Sequence, residues 1–244
     1  MLDHIKLENI LFLDIETVSQ CLDFHQLDET TQHLWERKSA SLRKDGQTPD
    51  SVYEKAGIYA EFGKIICISA GFIYHLSDKQ LAFRIKSCFG DDESKLLIDF
   101  SEMLNRFAKQ HSNMVLCAHN GKEFDFPYIA RRMLINGIRL PAKLDVAGKK
   151  PWEVPFLDTM ELWRFGDYKN YTALNLLTHI FEIPSPKDDI DGSQVASVYW
   201  QEKNLPRIVR YCEKDVLSVA QLLLRYKGMK LIESENVNSI TFDM

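Results

Sequence analysis

Apolar positions along this chain fall in short unbroken runs near its start and in helical stripes toward its end. The first run, over residues 9–15, has no helical period and predicts a central strand. Residues 18–62 are more polar and are broken by Gly46 and Pro49. Their stretch SASLRKDGQTPDS predicts an exposed loop, flanked by short helices around Leu34 and Tyr53. Two segments rich in β-branched and aromatic residues follow, at 64–74 and 81–88, and predict strands joined by a polar turn. Over residues 93–109 the positions Leu96, Leu97, Phe100, Leu104 and Phe107 form one stripe, the mark of an amphipathic helix.

A fourth strand is predicted over 114–118. It leads into HNGKEFDFPYIARRML, where a helix begins near Phe126 or Pro127, since proline suits a first helical turn. Residues 156–159 predict a short fifth strand, and the remainder predicts helices at 172–181, 193–200 and 205–226. Asn204 is the expected N-cap of the last, with Pro206 in its first turn. A strand, an insertion, a strand pair, and then alternating helices and strands imply an α/β fold with a mixed central sheet. With helices on both faces this is the RNase H-like arrangement. No repeat, low-complexity tract or Gly/Ser linker divides residues 1–244, so a single domain is expected, with 18–62 as an insertion on it.

Composition narrows the classes. The chain is 45% hydrophobic and 27% charged, which suits a globular protein with a sizeable core. Five widely spaced cysteines without a CxxC pair argue against a disulfide framework or zinc knuckle and fit a reducing, cytoplasmic setting. The start, MLDHIKLENILFLDIE, lacks a basic leader, and no apolar stretch reaches the ~18 residues that cross a bilayer, so no membrane partner is expected. A net charge of −5 disfavours a module that grips a long phosphate backbone. It disfavours an enzyme gripping one strand end much less, because bound cations reverse the charge of an acidic site locally.

Three acidic features carry candidate chemistry. In LFLDIETVS, Asp14 and Glu16 are two apart at the end of a strand and share one face. Two adjacent carboxylates are costly to bury without a cation between them, although solvated acids after a strand are the commoner case. In CAHNGKEFDFPYIARRM, Asp125 falls at a helix start, where an acid also serves the helix dipole, and Asn120 beside Gly121 also suits a plain turn. In YCEKDV, Tyr211 and Asp215 are four apart on one helical face, at the edge of the stripe Ile208, Tyr211, Cys212, Asp215, Val219 and Leu222.

Together and in this order, the three features resemble the motifs of the DEDD superfamily of 3′–5′ exonucleases, subtype DEDDy. Asp14-Ile15-Glu16-Thr17 is similar to the first motif, Asn120 to Asp125 to the second, and Tyr211-x-x-x-Asp215 to the third. FDFPYIARR and the run LDTMELWRFGDYKNYTALNLLTHIFEIPSPKDDIDG are most similar to the proofreading domain of family-B DNA polymerases. The resemblance covers nearly the whole chain, is weakest over 18–62 and the last dozen residues, and leaves no room for a polymerase domain. It implies two divalent cations, Mg²⁺ or Mn²⁺, about 4 Å apart and clamped by four acids. Asp14 would bridge them, Glu16 and Asp215 would complete the first, and Asp125 would support the second, partly through water. Tyr211 would orient the attacking water. Ile15, Thr17, Asn120 and Phe124 would hold the terminal nucleotide, with Phe124 stacking on a base. The implied partner is the 3′ end of single-stranded DNA, and the implied products are nucleoside 5′-monophosphates.

Two alternatives stay open at this point: an RNase H-like domain that binds without catalysis, and the same chemistry directed at RNA. Other groups rank lower. His119 is expected to be structural, and Asp158 either lines the cleft or caps a helix. Arg131, Arg132, Lys149, Lys150 and Lys187 are each expected to be surface charge rather than phosphate contacts.

Overall fold

The computed structural model describes residues 5–77, 80–167, 169, 171–184 and 190–242. Its central strand is β1 (Ile10–Ser19). On one side β1 pairs antiparallel with β2 (Gly63–Ser77), which pairs antiparallel with β3 (Gln80–Phe89). On the other side β1 pairs parallel with β4 (Val115–Ala118), and β4 pairs parallel with the two-residue β5 (Leu157–Asp158). The far edge of β3 takes β6 (Val237–Ser239) in parallel, completing the order β5-β4-β1-β2-β3-β6. The sequence predicts no element beyond the helix that ends near Tyr226. Three residues are too few to show a period, and the open edge of β3 supplies the partner.

Alternation along β1 sets the two faces of the sheet. Leu11, Leu13 and Ile15 pack with Leu97, Phe100 and Leu104 of α2 (Glu93–Gln110) and with Ile129 and Met133 of α3 (Asp125–Ile135). Ile10 and Phe12 point the other way, onto Val216, Val219, Ala220 and Leu223 of α7 (Leu205–Tyr226). Helix α7 begins as predicted, with Pro206 in its first turn and the Asn204 side chain accepting the Arg207 N–H. Three shorter helices complete this half: α4 (Thr159–Arg164), α5 (Leu174–Ile180) and α6 (Val195–Trp200).

Residues 18–62 contain α1 (Glu29–Lys38) and a 3₁₀ helix (Asp50–Ile58) gathered around fully buried Trp35, whose indole N–H donates to Pro49 O at 2.9 Å. Leu27, Val52, Tyr53, Ala56 and Phe62 close this small cluster. The expectation that Arg132 is surface charge is wrong. It is buried on α3, with Nε 2.9 Å from Glu93 Oε1, Nη2 on Glu93 Oε2, and Nη1 2.8 Å from Ala60 O. Glu93 also accepts the Ile65 N–H at 2.7 Å, so one pair ties α3, α2, β2 and the end of the insertion together. Lys187 lies outside the described residues.

Removing one partner of a buried ion pair leaves the other charge without a counterion, which costs about 3–5 kcal/mol. Arg132→Met is therefore expected to lower urea stability by that order, and the double variant Arg132→Met/Glu93→Leu by much less. A single variant within about 1 kcal/mol of the parent would show that solvent reaches the pair.

Candidate active site

The strand does not stop at residue 15, as the apolar run suggests, but continues through both acids to Ser19. Asp14 and Glu16 are therefore mid-strand residues. They continue the row of Ile10 and Phe12, so they point at α7. Partner strand β4 pairs only with Ile10–Phe12, and β1 has no neighbouring strand there beyond that point. Asp125, at the first position of α3, fills that gap: its Oδ1 accepts the Ile15 N–H at 3.2 Å. A strand N–H without a strand partner and a helix-start carboxylate satisfy each other.

From the opposite side α7 presents Tyr211, Cys212 and Asp215 along one face. Cys212 donates from Sγ toward Asp14 O and Oδ2, at 3.4 and 3.5 Å. Ligand atoms of Asp14, Glu16 and Cys212 all lie within 4.8 Å of one another, a group that offers donors to a metal ion. Asp14 is partly buried, while Glu16 and Asp125 are 8% and 3% exposed. Burial, followed by the charges of Asp125, Glu16 and Asp215, pushes the Asp14 carboxyl well above the usual range. Burial and then Asp215 do the same to Glu16. Asp125 rises to about 7, chiefly through burial and against the backbone hydrogen bonds it accepts. The Tyr211 phenol is also raised, first by burial and then by the Asp215 charge, and it shares a hydrogen bond with Asp215.

The loop after β4 supplies Asn120 and Phe124. Asn120 adopts a left-handed conformation (φ 62°), which asparagine tolerates better than most residues, and its buried Oδ1 has no hydrogen-bond partner among the described residues. Asp158 holds this loop. It is 3% exposed and accepts the N–H groups of Asn120 (3.0 Å), Lys122 (3.1 Å), Met160 (3.0 Å) and Glu161 (3.3 Å). It is thus the cap of α4, one of its two expected roles, and also the staple of the Asn120 turn, which sequence reasoning missed. His119 bridges Thr159 Oγ1 (2.9 Å) and Thr172 O (2.8 Å). Burial lowers its pKa, so the ring is neutral near pH 7 and acts in packing, as expected.

Beside Glu16 opens a cleft of about 460 Å³, lined by Ile15, Thr17 and Phe124 on one side and by the 3₁₀ helix of the insertion on the other. The structure thus brings Asp14, Glu16, Asp125, Tyr211 and Asp215 together, with Ile15, Thr17 and Phe124 along the cleft. Sequence reasoning missed Cys212 as a neighbour of Asp14, although its place in the α7 stripe next to Tyr211 was the available signal. The insertion's part in the cleft had no such signal.

Comparison with known proteins bears on the same segments. The family described as "Predicted 3'-5' exonuclease related to the exonuclease domain of PolB" matches residues 58–240. That span includes Asn120, Asp125, Tyr211 and Asp215 but begins after Asp14 and Glu16, which the fold brings to the others. A DNA polymerase of Pyrococcus glycovorans is 24% identical over 156 residues, covering 59% of this chain and 20% of the polymerase. The family B DNA polymerase of the archaeon Pyrobaculum calidifontis superposes with a TM-score of 0.50 at 15% identity, covering 89% of this chain and 24% of that one. The chain thus spans a quarter or less of each polymerase, and the shared fold is the expected RNase H-like one. Among the described residues no helix is long and apolar enough to cross a membrane.

A carboxylate whose folded pKa is raised contributes stability below its unfolded pKa of about 4 and loses it as pH rises through the folded value. With chelator present, the protein is therefore expected to lose a few kcal/mol between pH 4.5 and 7.5, and Asp125→Asn to flatten that slope. Urea midpoints at four pH values check this. A midpoint that rises over the window would mean that the acids are not electrostatically frustrated.

Proposed function

This chain belongs to the family of predicted 3′–5′ exonucleases related to the exonuclease domain of PolB, and from that premise we propose that it is a metal-dependent 3′–5′ exonuclease acting on single-stranded DNA. We read residues 1–244 as one domain and the site as the DEDDy type. The observation that carries the reading is the convergence of Asp14 and Glu16 from β1 with Asp125 from α3 and Asp215 from α7, inside a site where burial and the neighbouring acids raise the carboxyls of Asp14, Glu16 and Asp125. An all-oxygen set of this kind suits hard divalent cations such as Mg²⁺ or Mn²⁺, and the unpartnered Asn120 Oδ1 leaves an acceptor for a ligand or a bound water.

Two cations held by Asp14, Glu16, Asp125 and Asp215 would supply an activated water and stabilise charge on the departing 3′ oxygen. The residues of the chain do the positioning. Tyr211 keeps its proton at working pH, since burial and nearby carboxylates oppose ionisation, so it acts as a neutral hydrogen-bonding group and not as a base. Its hydroxyl is fixed by Asp215 and orients the water. Asp125, held against the Ile15 N–H, keeps its carboxylate turned toward the β1 acids. Phe124 offers a ring face to the terminal base, and stacking of this kind tolerates any sequence. Release of nucleoside 5′-monophosphates follows from attack on the 3′-terminal phosphodiester.

A 5′-labelled single-stranded oligonucleotide with Mg²⁺ or Mn²⁺ is expected to shorten stepwise from its 3′ end, and Asp14→Ala to abolish the ladder. No shortening with either metal would remove the enzymatic reading, while faster loss of a matched RNA strand would transfer the substrate to RNA. For Tyr211→Phe we expect kcat to fall by about two orders of magnitude, with the Mn²⁺-induced rise in Tm retained. Loss of that thermal shift would instead make Tyr211 part of the metal site.

A further inference from the structure

The cleft beside Glu16 has a wall that none of the sequence motifs supplies. It is built by the 3₁₀ helix Asp50–Ile58, whose Lys55 and Ile58 face the same cavity as Glu16, Thr17 and Phe124, with Ser193 on a third side. Two features of this wall are unusual. The helix buries Val52, Tyr53 and Ala56 in the Trp35 cluster, yet leaves Ile58 55% exposed at the cleft. Among the described residues, Lys55 is the one cation lining a cavity whose other charged groups, Glu16 and Glu54, repel phosphate, and no ion pair joins it to another of them.

The wall is also fixed in place. Gly57 lies so close to β1 that a Cβ on it would come within 3.0 Å of Val18 C, so the helix sits directly on the strand that carries the acids. Its carbonyl accepts the Tyr128 hydroxyl at 2.7 Å. Tyr128 belongs to α3, one turn from Asp125. The cleft wall and the acids therefore share one rigid support, and such preorganisation favours binding by reducing the ordering cost.

We propose that the 3₁₀ helix of the insertion is the substrate-holding wall of the site. Ile58, with Phe124, retains the terminal base by apolar contact, and Lys55 neutralises a backbone phosphate of the same strand. The assignment rests on the exonuclease reading. It gives a physical basis in one cleft for the substrate of that reading, an unpaired 3′ end of any base sequence. A cavity of about 460 Å³ is at the small-ligand end of binding sites and admits a nucleotide without its paired partner. An isoleucine face also offers no hydrogen bond with which to read a base edge.

The test pairs cleavage with binding. On a 5′-labelled single strand with Mn²⁺, Ile58→Ala is expected to raise KM about tenfold, with kcat changed less than about threefold. On the same strand ending in an abasic nucleotide that penalty should shrink below about twofold. Lys55→Ala should raise KM about tenfold on both strands, fade at high salt, and be rescued by Lys55→Arg. Both side chains are exposed, so unchanged Tm values establish that the variants fold. Anisotropy with a fluorescent single strand in Ca²⁺ separates the two readings. Cleavage and binding at parental KM and Kd in both variants would overturn the wall while leaving the exonuclease intact. Binding that depends on Ile58 and Lys55 without cleavage would keep the wall and remove the enzyme. Neither binding nor cleavage in the parent protein would overturn both.

Discussion

Mutual repulsion among carboxylates withdrawn from water is the constraint around which this molecule is arranged. Asp14 and Glu16 continue the inward-facing row of a strand whose earlier members, Ile10 and Phe12, form core. Ordinary folding chemistry would fill those two positions with apolar side chains packed on α7, because an unpaired buried charge costs far more than the packing it displaces. Cys212 answers Asp14 with only a weak thiol donor, and Asp125 adds charge to the site. Without a cation between them, buried acids of this kind cost stability at neutral pH, and a locally unfavourable arrangement kept by a well-packed scaffold is a physical reason to propose a functional site here.

The scaffold resists that repulsion through polar contacts placed one layer behind the acids. Asp158 gathers four N–H groups and so sets the Asn120 turn. Glu93 and Arg132 lock α3 to β2 and to Ala60 at the end of the insertion. Tyr128, on the same helix, reaches Gly57. Asp125 begins α3, so the helix that positions an acid is also the helix that holds the cleft wall. A shift in either is transmitted through a single rigid element, without any longer pathway.

Much of the fold was legible because its long elements carry strong periods and clear ends. Helix α7 is the plainest case, with Asn204 and Pro206 at its start and a stripe that runs its whole length. The acids were legible as three local patterns, but nothing local says that residues 14, 125 and 215 meet. That follows from β4 stopping short beside β1 and from α7 crossing the even-numbered row, both of which are facts of topology. Polar residues misled where burial overrode their usual preference. Glu16 and Thr17 seemed to end a strand that continues to Ser19, and Arg132 seemed solvated when Glu93, 39 residues earlier, was its partner. The strand β6 was invisible because its only cause is an open edge elsewhere in the sheet.

The acidity of the whole chain fits a nuclease once charge is considered by position. A net charge of −5 gives no long-range attraction for a polyanion, and the four acids of the site make its centre more repulsive still. On the proposed reading, cations bound by those acids reverse the sign at the scissile phosphate, and the reversal extends only a short distance through salt solution. One residue beyond that range, a phosphate needs a fixed positive group, and among the described residues Lys55 is the cation that the cleft lining provides. A strand held by so few charges has little sequence-independent grip along its length. Its retention then depends on apolar contact at the terminal base, which is why an exposed isoleucine beside Phe124 is physically reasonable in a cleft otherwise defined by carboxylates.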